Sequence, residues 1–179
     1  MRTLILYTSK TGNTKKYAED IAQAVNGDVF PLKKYKWKDV GDYDSIVFGG
    51  WVMGGKIQGI DDFLSHYDEI SDKNILVFSS GMGFVTSESR DRLISGTVLD
   101  IYHIRYYQLR GSFDYSKLHF PYNFMINTSL RALRKDPDSA QDLSMVENLK
   151  ETPLEFYDQQ GIDRIISVLH RLSAVGDQK

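Results

Sequence analysis

The strongest constraint on the fold is a repeated alternation of short apolar runs with segments of helical period. Thr3–Tyr7, Asp28–Leu32, Ser45–Phe48, Asn74–Phe78 and Tyr106–Phe113 each read as a strand. The first, built on Leu4-Ile5-Leu6-Tyr7, shows no polar alternation, as expected of a parallel strand covered on both faces. Tyr17, Ala18, Ile21, Ala22 and Val25 form one face of a helix that Asn26-Gly27 ends. Ile60, Phe63, Leu64 and Tyr67 mark a second helix, with Asp61 and Asp62 favourably placed in its first turn. Leu93, Ile94, Val98, Ile101 and Tyr102 predict the inward face of a third helix. Ile162, Ile165, Ile166, Leu169 and Leu172 predict that of a last one. Such alternation implies an α/β fold with a doubly wound, five-stranded parallel sheet. Pro31 cannot donate to a ladder, so the second strand belongs at an edge. Right-handed crossovers then predict the strand order 2-1-3-4-5.

The 179 residues fit one domain with an ample core, here expected to span residues 1–179. Between Phe113 and Tyr157 the chain is longer than an αβ connection needs, which predicts an insert after strand five, at about 115–157. It opens with Tyr115-Ser116-Lys117-Leu118-His119-Phe120-Pro121-Tyr122, and Pro121 suits a first helical turn. Tyr122, Met125, Ile126, Leu130 and Leu133 lie on one face, with Arg131, Arg134 and Lys135 at the end. Asp136-Pro137-Asp138-Ser139 is a turn. The run Lys33 to Lys38 holds four lysines around Tyr35 and Trp37. It reads as a solvated connection or as a docking patch for an acidic partner.

Composition narrows the chemistry. With no cysteine, disulfides, thiolate catalysis and cysteine metal sites are excluded. His66, His103, His119 and His170 lack ligand spacing, so no metal is expected. A formal net charge of −2 argues against nucleic acid as a partner. No apolar stretch approaches a membrane span. Met1-Arg2-Thr3-Leu4 runs straight into a strand without a signal-peptide core, so a cytoplasmic location is expected.

Three loops leave the carboxyl ends of strands one, three and four. Strands one and three mark the switch point of a sheet with this order, where ligands bind. The first loop, Ser9-Lys10-Thr11-Gly12-Asn13-Thr14, offers hydroxyls, a permissive glycine and the unpaired N–H groups of a helix start. Together with the helix dipole these suit a phosphate. Asn13 or Thr14 could instead serve only as a helix cap, and Lys10 could reach the phosphate or point to water. The second loop carries Trp51, Val52, Met53, Gly54 and Gly55, and the third Ser80, Gly81, Met82, Gly83 and Phe84. The two could flank a flat ring and offer donors to its heteroatoms. There is no nucleoside-triphosphatase loop of the Gly-x-x-x-x-Gly-Lys-Ser/Thr type.

Ser9 to Thr14 resembles the (Thr/Ser)-x-Thr-Gly-x-Thr phosphate loop of the flavodoxins, which bind FMN on a doubly wound sheet. The resemblance implies FMN as the cofactor of a flavodoxin-like fold. It places Ser9, Thr11, Gly12, Asn13 and Thr14 around the phosphate, with Lys10 beside them. Trp51 would stack on the ring or serve as a core or surface-covering indole beyond strand three, and Phe84 would cover the other ring face or belong to the core. Met53, Gly54 and Gly55 would lie near N5, and Ser80, Gly81, Met82 and Gly83 on the pyrimidine side. A glycine in the middle loop would permit a peptide flip on N5 protonation. A narrower resemblance, over nearly the whole chain, is to the menaquinone-dependent protoporphyrinogen dehydrogenase type of flavodoxin-domain protein. It rests on Thr3-Leu4-Ile5-Leu6, Phe63, Arg110-Gly111-Ser112-Phe113, the aromatic and basic insert, and Tyr157-Asp158 before the closing helix. The chain departs from that group at Thr11, where an Asp is common, and at Trp51 to Gly55, where a Ser-Ile-Arg-Tyr-Gly sequence is usual.

Two functions follow from these resemblances, beside a third reading as a flavodoxin-fold interaction protein that has lost FMN. One is an FMN oxidoreductase of the protoporphyrinogen or quinone dehydrogenase type. Its insert would wall a site for a quinone or other flat apolar substrate, or rest on a membrane surface as a peripheral contact. The other is a flavodoxin carrier that relays electrons to a redox protein partner. In both the flavin carries the redox chemistry, and no separate catalytic acid or base is expected.

Overall fold

The computed structural model describes residues 1–81, 85–95, 97, 99, 101–114, 127–128, 131, 134 and 154–176. It divides into two compact units, one of Met1–Gly111 with Asp158–Lys179 and one of Ser112–Tyr157.

In the first unit the sheet is built from β1 (Thr3–Tyr7), β2 (Asp28–Pro31), β3 (Ser45–Met53), β5 (Asn74–Gly81) and β6, which begins at Arg105 and runs to Phe113. A short β4 (Lys56–Ile57) turns back on β3. The parallel ladder has the order β2-β1-β3-β5-β6. The order 2-1-3-4-5 expected for the five main strands is therefore present, with one hairpin added. Pro31 closes β2 at the sheet edge, opposite Tyr7.

Each strand feeds both faces, because successive side chains alternate. Leu4, Leu6, Ile46, Phe48 and Val77 meet Ile60, Phe63, Ile70 and Leu93 on one side. Ile5, Val47, Leu76 and Phe78 meet Tyr17, Ala18, Ile21, Ile162, Ile165 and Leu169 on the other. The first face is covered by α2 (Ile60–Leu64), α3 (Tyr67–Ile70) and α4 (Ser87–Ser95). The second is covered by α1 (Asn13–Val25) and α5 (Gln159–Gly176). The apolar stripes expected for α1 and α5 are the faces that these helices bury.

Two helices differ from the sequence expectation. The segment from Ile60 to Tyr67 is not one helix but two short ones, broken around His66, whose backbone leaves the helical region. The third helix stops at Ser95, and Ile101 is 72% exposed. Leu99, not Ile101, is buried, while Tyr102 stacks on Tyr67 with ring centroids 3.9 Å apart. Val98 lies outside the described residues. The lysine run alternates outward lysines with inward rings. Lys33, Lys34, Lys36 and Lys38 are exposed, whereas Tyr35 and Trp37 pack on the core. Trp37 stacks on His66 at 3.9 Å, and its ring lies 6.2 Å from that of Phe63.

The first unit is tied where the chain leaves and re-enters it. The buried Tyr17 hydroxyl donates to the Arg110 carbonyl at 2.5 Å and accepts from the Asp158 N–H at 2.8 Å. The Asp158 carboxylate accepts from the Gly161 N–H at 2.9 Å and caps α5. In the second unit, β7 (Leu154–Tyr157) holds Phe156, whose N–H donates to Ser112 Oγ at 3.0 Å. The same hydroxyl donates to the Phe156 carbonyl at 2.9 Å. The apolar face expected from Tyr122 to Leu133 falls almost wholly outside the described residues.

Candidate functional site

The three expected loops emerge at one edge of the sheet because β1, β3 and β5 are parallel neighbours. The first loop opens where Thr8 donates its N–H to the Gly49 carbonyl at 2.8 Å. Ser9 Oγ then accepts from the Gly12 N–H at 3.2 Å, which curls the loop back on itself. Asn13 Nδ2 donates to Thr11 Oγ1 at 3.3 Å. Gly12 sits at φ +97°, a left-handed conformation that glycine adopts without strain, and a Cβ there would meet nothing within 4 Å. Lys10, Thr11 and Gly12 are exposed, and Ser9 is half-buried.

Gly12 is the N-cap of α1 and supplies no side-chain cap, and the first turn of α1 contains no acidic residue. The N-terminal N–H groups of a 13-residue helix are therefore turned toward an open, hydroxyl-lined loop with no carboxylate to compete for them. A phosphate fits this arrangement. Asn13 and Thr14 are the first two residues of the helix, and the N-cap position belongs to Gly12.

The second loop is a tight hairpin. Met53 pairs with Lys56 and Val52 with Ile57, leaving Gly54 and Gly55 as a two-residue turn. Their φ values of +58° and +72° are the pair of positive angles that a type I′ turn needs. The run of two glycines after an apolar strand was itself a hairpin signal. Gly54 and Gly55 are exposed, while Trp51, Val52 and Met53 are half-buried. Gln58 locks the hairpin: its N–H donates to the Trp51 carbonyl at 2.8 Å, and its Nε2 to the Met53 and Lys56 carbonyls at 3.3 Å each.

Gln58 also joins the first two loops, because its carbonyl accepts from Thr8 Oγ1 at 2.5 Å. Gly59, at φ +85°, lets the chain pass so close that a Cβ would lie 2.5 Å from Thr8 Cγ2. Thr8, Gln58 and Gly59 were not among the expected site residues. Only the glycine before the helical segment at Ile60 hinted at a close approach; nothing in sequence pairs Thr8 with a residue 50 positions away.

The third loop begins at Ser80 and Gly81. Ser80 lies opposite Trp51 in the ladder, and a Cβ on Gly81 would lie 3.3 Å from Val52 Cβ. Ser80 is buried, and its hydroxyl lies 2.7 Å from Thr14 Oγ1, which is also fully buried. Met82, Gly83 and Phe84 lie outside the described residues. Of the expected site residues, Ser9 to Thr14, Trp51 to Gly55, Ser80 and Gly81 thus share one edge of the sheet. Beneath them, Ser79 Oγ lies 2.6 Å from the Tyr106 hydroxyl. Burial pushes the Tyr106 phenol up to about 12, partly opposed by that hydrogen bond. Burial likewise raises Tyr17. Among the described residues no group of histidines or carboxylates is placed to hold a metal.

Comparison with known proteins assigns the fold to a family. Residues 4–140 match the Flavodoxin domain family. The chain belongs to that family. Over 101 residues it is 34% identical to the uncharacterized protein MJ0298 of Methanocaldococcus jannaschii, an overlap of 53% of this chain and 67% of that one. Among solved structures it is similar to the oxidised Flavodoxin 2 of Bacillus cereus, with a TM-score of 0.45 and 20% identity over 62% of this chain and 84% of that one. It is also similar to the flavodoxin, WrbA-like protein of Agrobacterium tumefaciens, with a TM-score of 0.47 and 18% identity over 59% of this chain and 75% of that one. Among the described residues of this flavodoxin-domain chain, no helix is long and apolar enough to cross a membrane.

Proposed function

We propose that this flavodoxin-domain protein binds FMN at the edge where Ser9 to Thr14, Trp51 to Gly55, Ser80 and Gly81 lie, with Met82, Gly83 and Phe84 next in the chain as further ligands, and works as a redox protein. The observation that carries the reading is the open N-terminus of α1, which lacks both a side-chain cap and first-turn carboxylates and stands beside a hydroxyl loop. In this reading Ser9, Thr11, Gly12, Asn13 and Thr14 hold the phosphate, and the exposed Lys10 adds a positive charge nearby. Trp51 and Met53 pack on the ring, and the hairpin that Gln58 locks presents backbone groups to its edge. Bound there, FMN supplies the electron-accepting chemistry, and the chain binds it, orients it and keeps water from one side.

The finer reading is an oxidoreductase of the protoporphyrinogen or quinone dehydrogenase type, acting on a flat apolar substrate. It is supported by the aromatic and basic composition of the stretch from Tyr115 to Lys135. A carrier that passes electrons to a redox protein partner is favoured instead by Thr11 and Trp51, which depart from that enzyme type. The test is a visible spectrum of the purified protein followed by anaerobic reductive titration. Bands of oxidised flavin are expected, with two-electron reduction for the dehydrogenase and separate one-electron steps for the carrier. A colourless protein that takes up no added FMN overturns the proposal.

A further inference from the structure

The loop that leaves β2 carries a ridge of positive charge. It starts where Pro31 lies opposite Tyr7, at the same edge of the sheet as the hydroxyl loop that follows β1. Lys33, Lys34, Lys36 and Lys38 are exposed. Among the described residues none of the four pairs with a carboxylate. Elsewhere Lys15 pairs with Glu19, Lys16 with Asp20 and Arg92 with Glu88. Two acids near the ridge have other partners: Asp42 lies 3.6 Å from Arg2, and Glu69 2.6 Å from His66. Asp39 stands next to Lys38 in the chain. The whole chain has a net charge of −2, so the ridge is a local segregation of charge. Its frame is anchored by the buried Leu32 and Val40. Between them the Tyr35 ring lies 5.7 Å from Phe30 and 5.7 Å from Trp37, which stacks on His66 at 3.9 Å. Inward rings thus hold the backbone while the lysines point outward together, and little backbone freedom is left to lose on binding.

We propose that the ridge from Lys33 to Lys38 is a docking surface for an acidic redox protein, which it holds beside the sheet edge of the proposed cofactor site. That the partner is a redox protein rests on the FMN reading above; that it is acidic rests on the ridge alone. Four like charges on one short loop repel one another, and a surface of opposite sign relieves that repulsion and steers the encounter. An anionic membrane fits less well, because Tyr35 and Trp37 pack on the core and do not turn toward a lipid interface. Nucleic acid fits less well too, since the chain as a whole is not basic.

The experiment titrates the isotope-labelled protein with a plant-type ferredoxin as the acidic probe and with cytochrome c as the basic one, following backbone amide shifts. The amides from Lys33 to Lys38 are expected to shift with ferredoxin and not with cytochrome c, and the shifts fade as salt is raised. Lys33→Glu with Lys34→Glu is expected to weaken ferredoxin binding roughly tenfold, and Lys36→Glu with Lys38→Glu does the same. FMN affinity stays unchanged in both pairs. Arg164→Glu with Arg171→Glu makes the same change in net charge on α5, where both residues are exposed, and is expected to leave ferredoxin binding within about twofold of native. An equal loss in that pair would assign the effect to net charge and overturn the proposal. So would shifts with cytochrome c instead of ferredoxin, no shifts with ferredoxin, or shifts with phosphatidylserine vesicles or duplex DNA in place of ferredoxin. If a Glu pair does not fold, the matching Lys→Gln pair carries the test, with a loss of roughly threefold expected. A protein that takes up no FMN but binds ferredoxin through these lysines ends the FMN reading and leaves the docking surface standing. One that takes up FMN and shows no such shifts ends the docking surface alone.

Discussion

The Tyr106 phenol is the titrating group whose burial has the clearest consequence. It is 6% exposed, bonds Ser79 at 2.6 Å, and is pushed up from 10.0 to about 12 because the phenolate would lose its water. In the unfolded chain the phenol ionises near its ordinary value, so the stabilisation from the neutral form is complete below pH 10. It is lost as the pH rises from there to about 12. A shift of this size amounts to about 2–3 kcal/mol at the alkaline limit. Urea unfolding measured across that interval is expected to show falling stability, with a shallower fall in Tyr106→Phe. That variant also loses about 1 kcal/mol at neutral pH, because Ser79 is left without this partner. A parallel pH profile in Tyr106→Phe would assign the alkaline loss to other groups.

At the scale of elements, the hairpin between β3 and β4 depends on backbone angles more than on contacts. Gly54 and Gly55 touch nothing that a Cβ would meet within 4 Å, yet both have positive φ. Space is available, but the conformation suits few side chains. Gly54→Asn, which places the preferred Asn-Gly pair in a type I′ turn, is expected to leave the melting temperature unchanged or slightly raised. Gly54→Val is expected to cost about 1–2 kcal/mol, since a β-branched residue resists positive φ. Thermal unfolding of the two variants side by side checks the turn type, and equal losses would refute it.

For the whole molecule, the stretch between the two parts of the first unit is closed at its own ends. Ser112 and Phe156 exchange two hydrogen bonds, while Tyr17 and Asp158 tie the first unit where the chain leaves and re-enters it. Replacing residues 115–152 with a short turn is therefore expected to leave a protein that unfolds cooperatively and, in the FMN reading, still binds FMN. In the oxidoreductase reading the same change removes quinone reduction. Circular dichroism with flavin titration checks the first outcome and steady-state turnover the second. Loss of cooperative unfolding would mean that the first unit depends on that stretch.

The parallel sheet was legible because buried strands leave continuous apolar runs, and Pro31 marked its edge. The hydroxyl loop after β1 was legible because a loop able to hold a phosphate needs small polar residues next to one another in the chain. Helix ends were less so: Ile101 and Tyr102 continued an apolar period that the chain did not bury, since periodicity does not say where packing stops. The bridges across the site lie further still from sequence pattern. Thr8 meets Gln58 from 50 positions away and Thr14 meets Ser80 from 66. Local spacing tells a helix face from a strand, but which hydroxyl finds which partner depends on how β1, β3 and β5 are stacked side by side. The chain order thus specified the loops and the polar groups they carry. Only the tertiary structure decided which of their side chains face outward and which are spent holding the loops together.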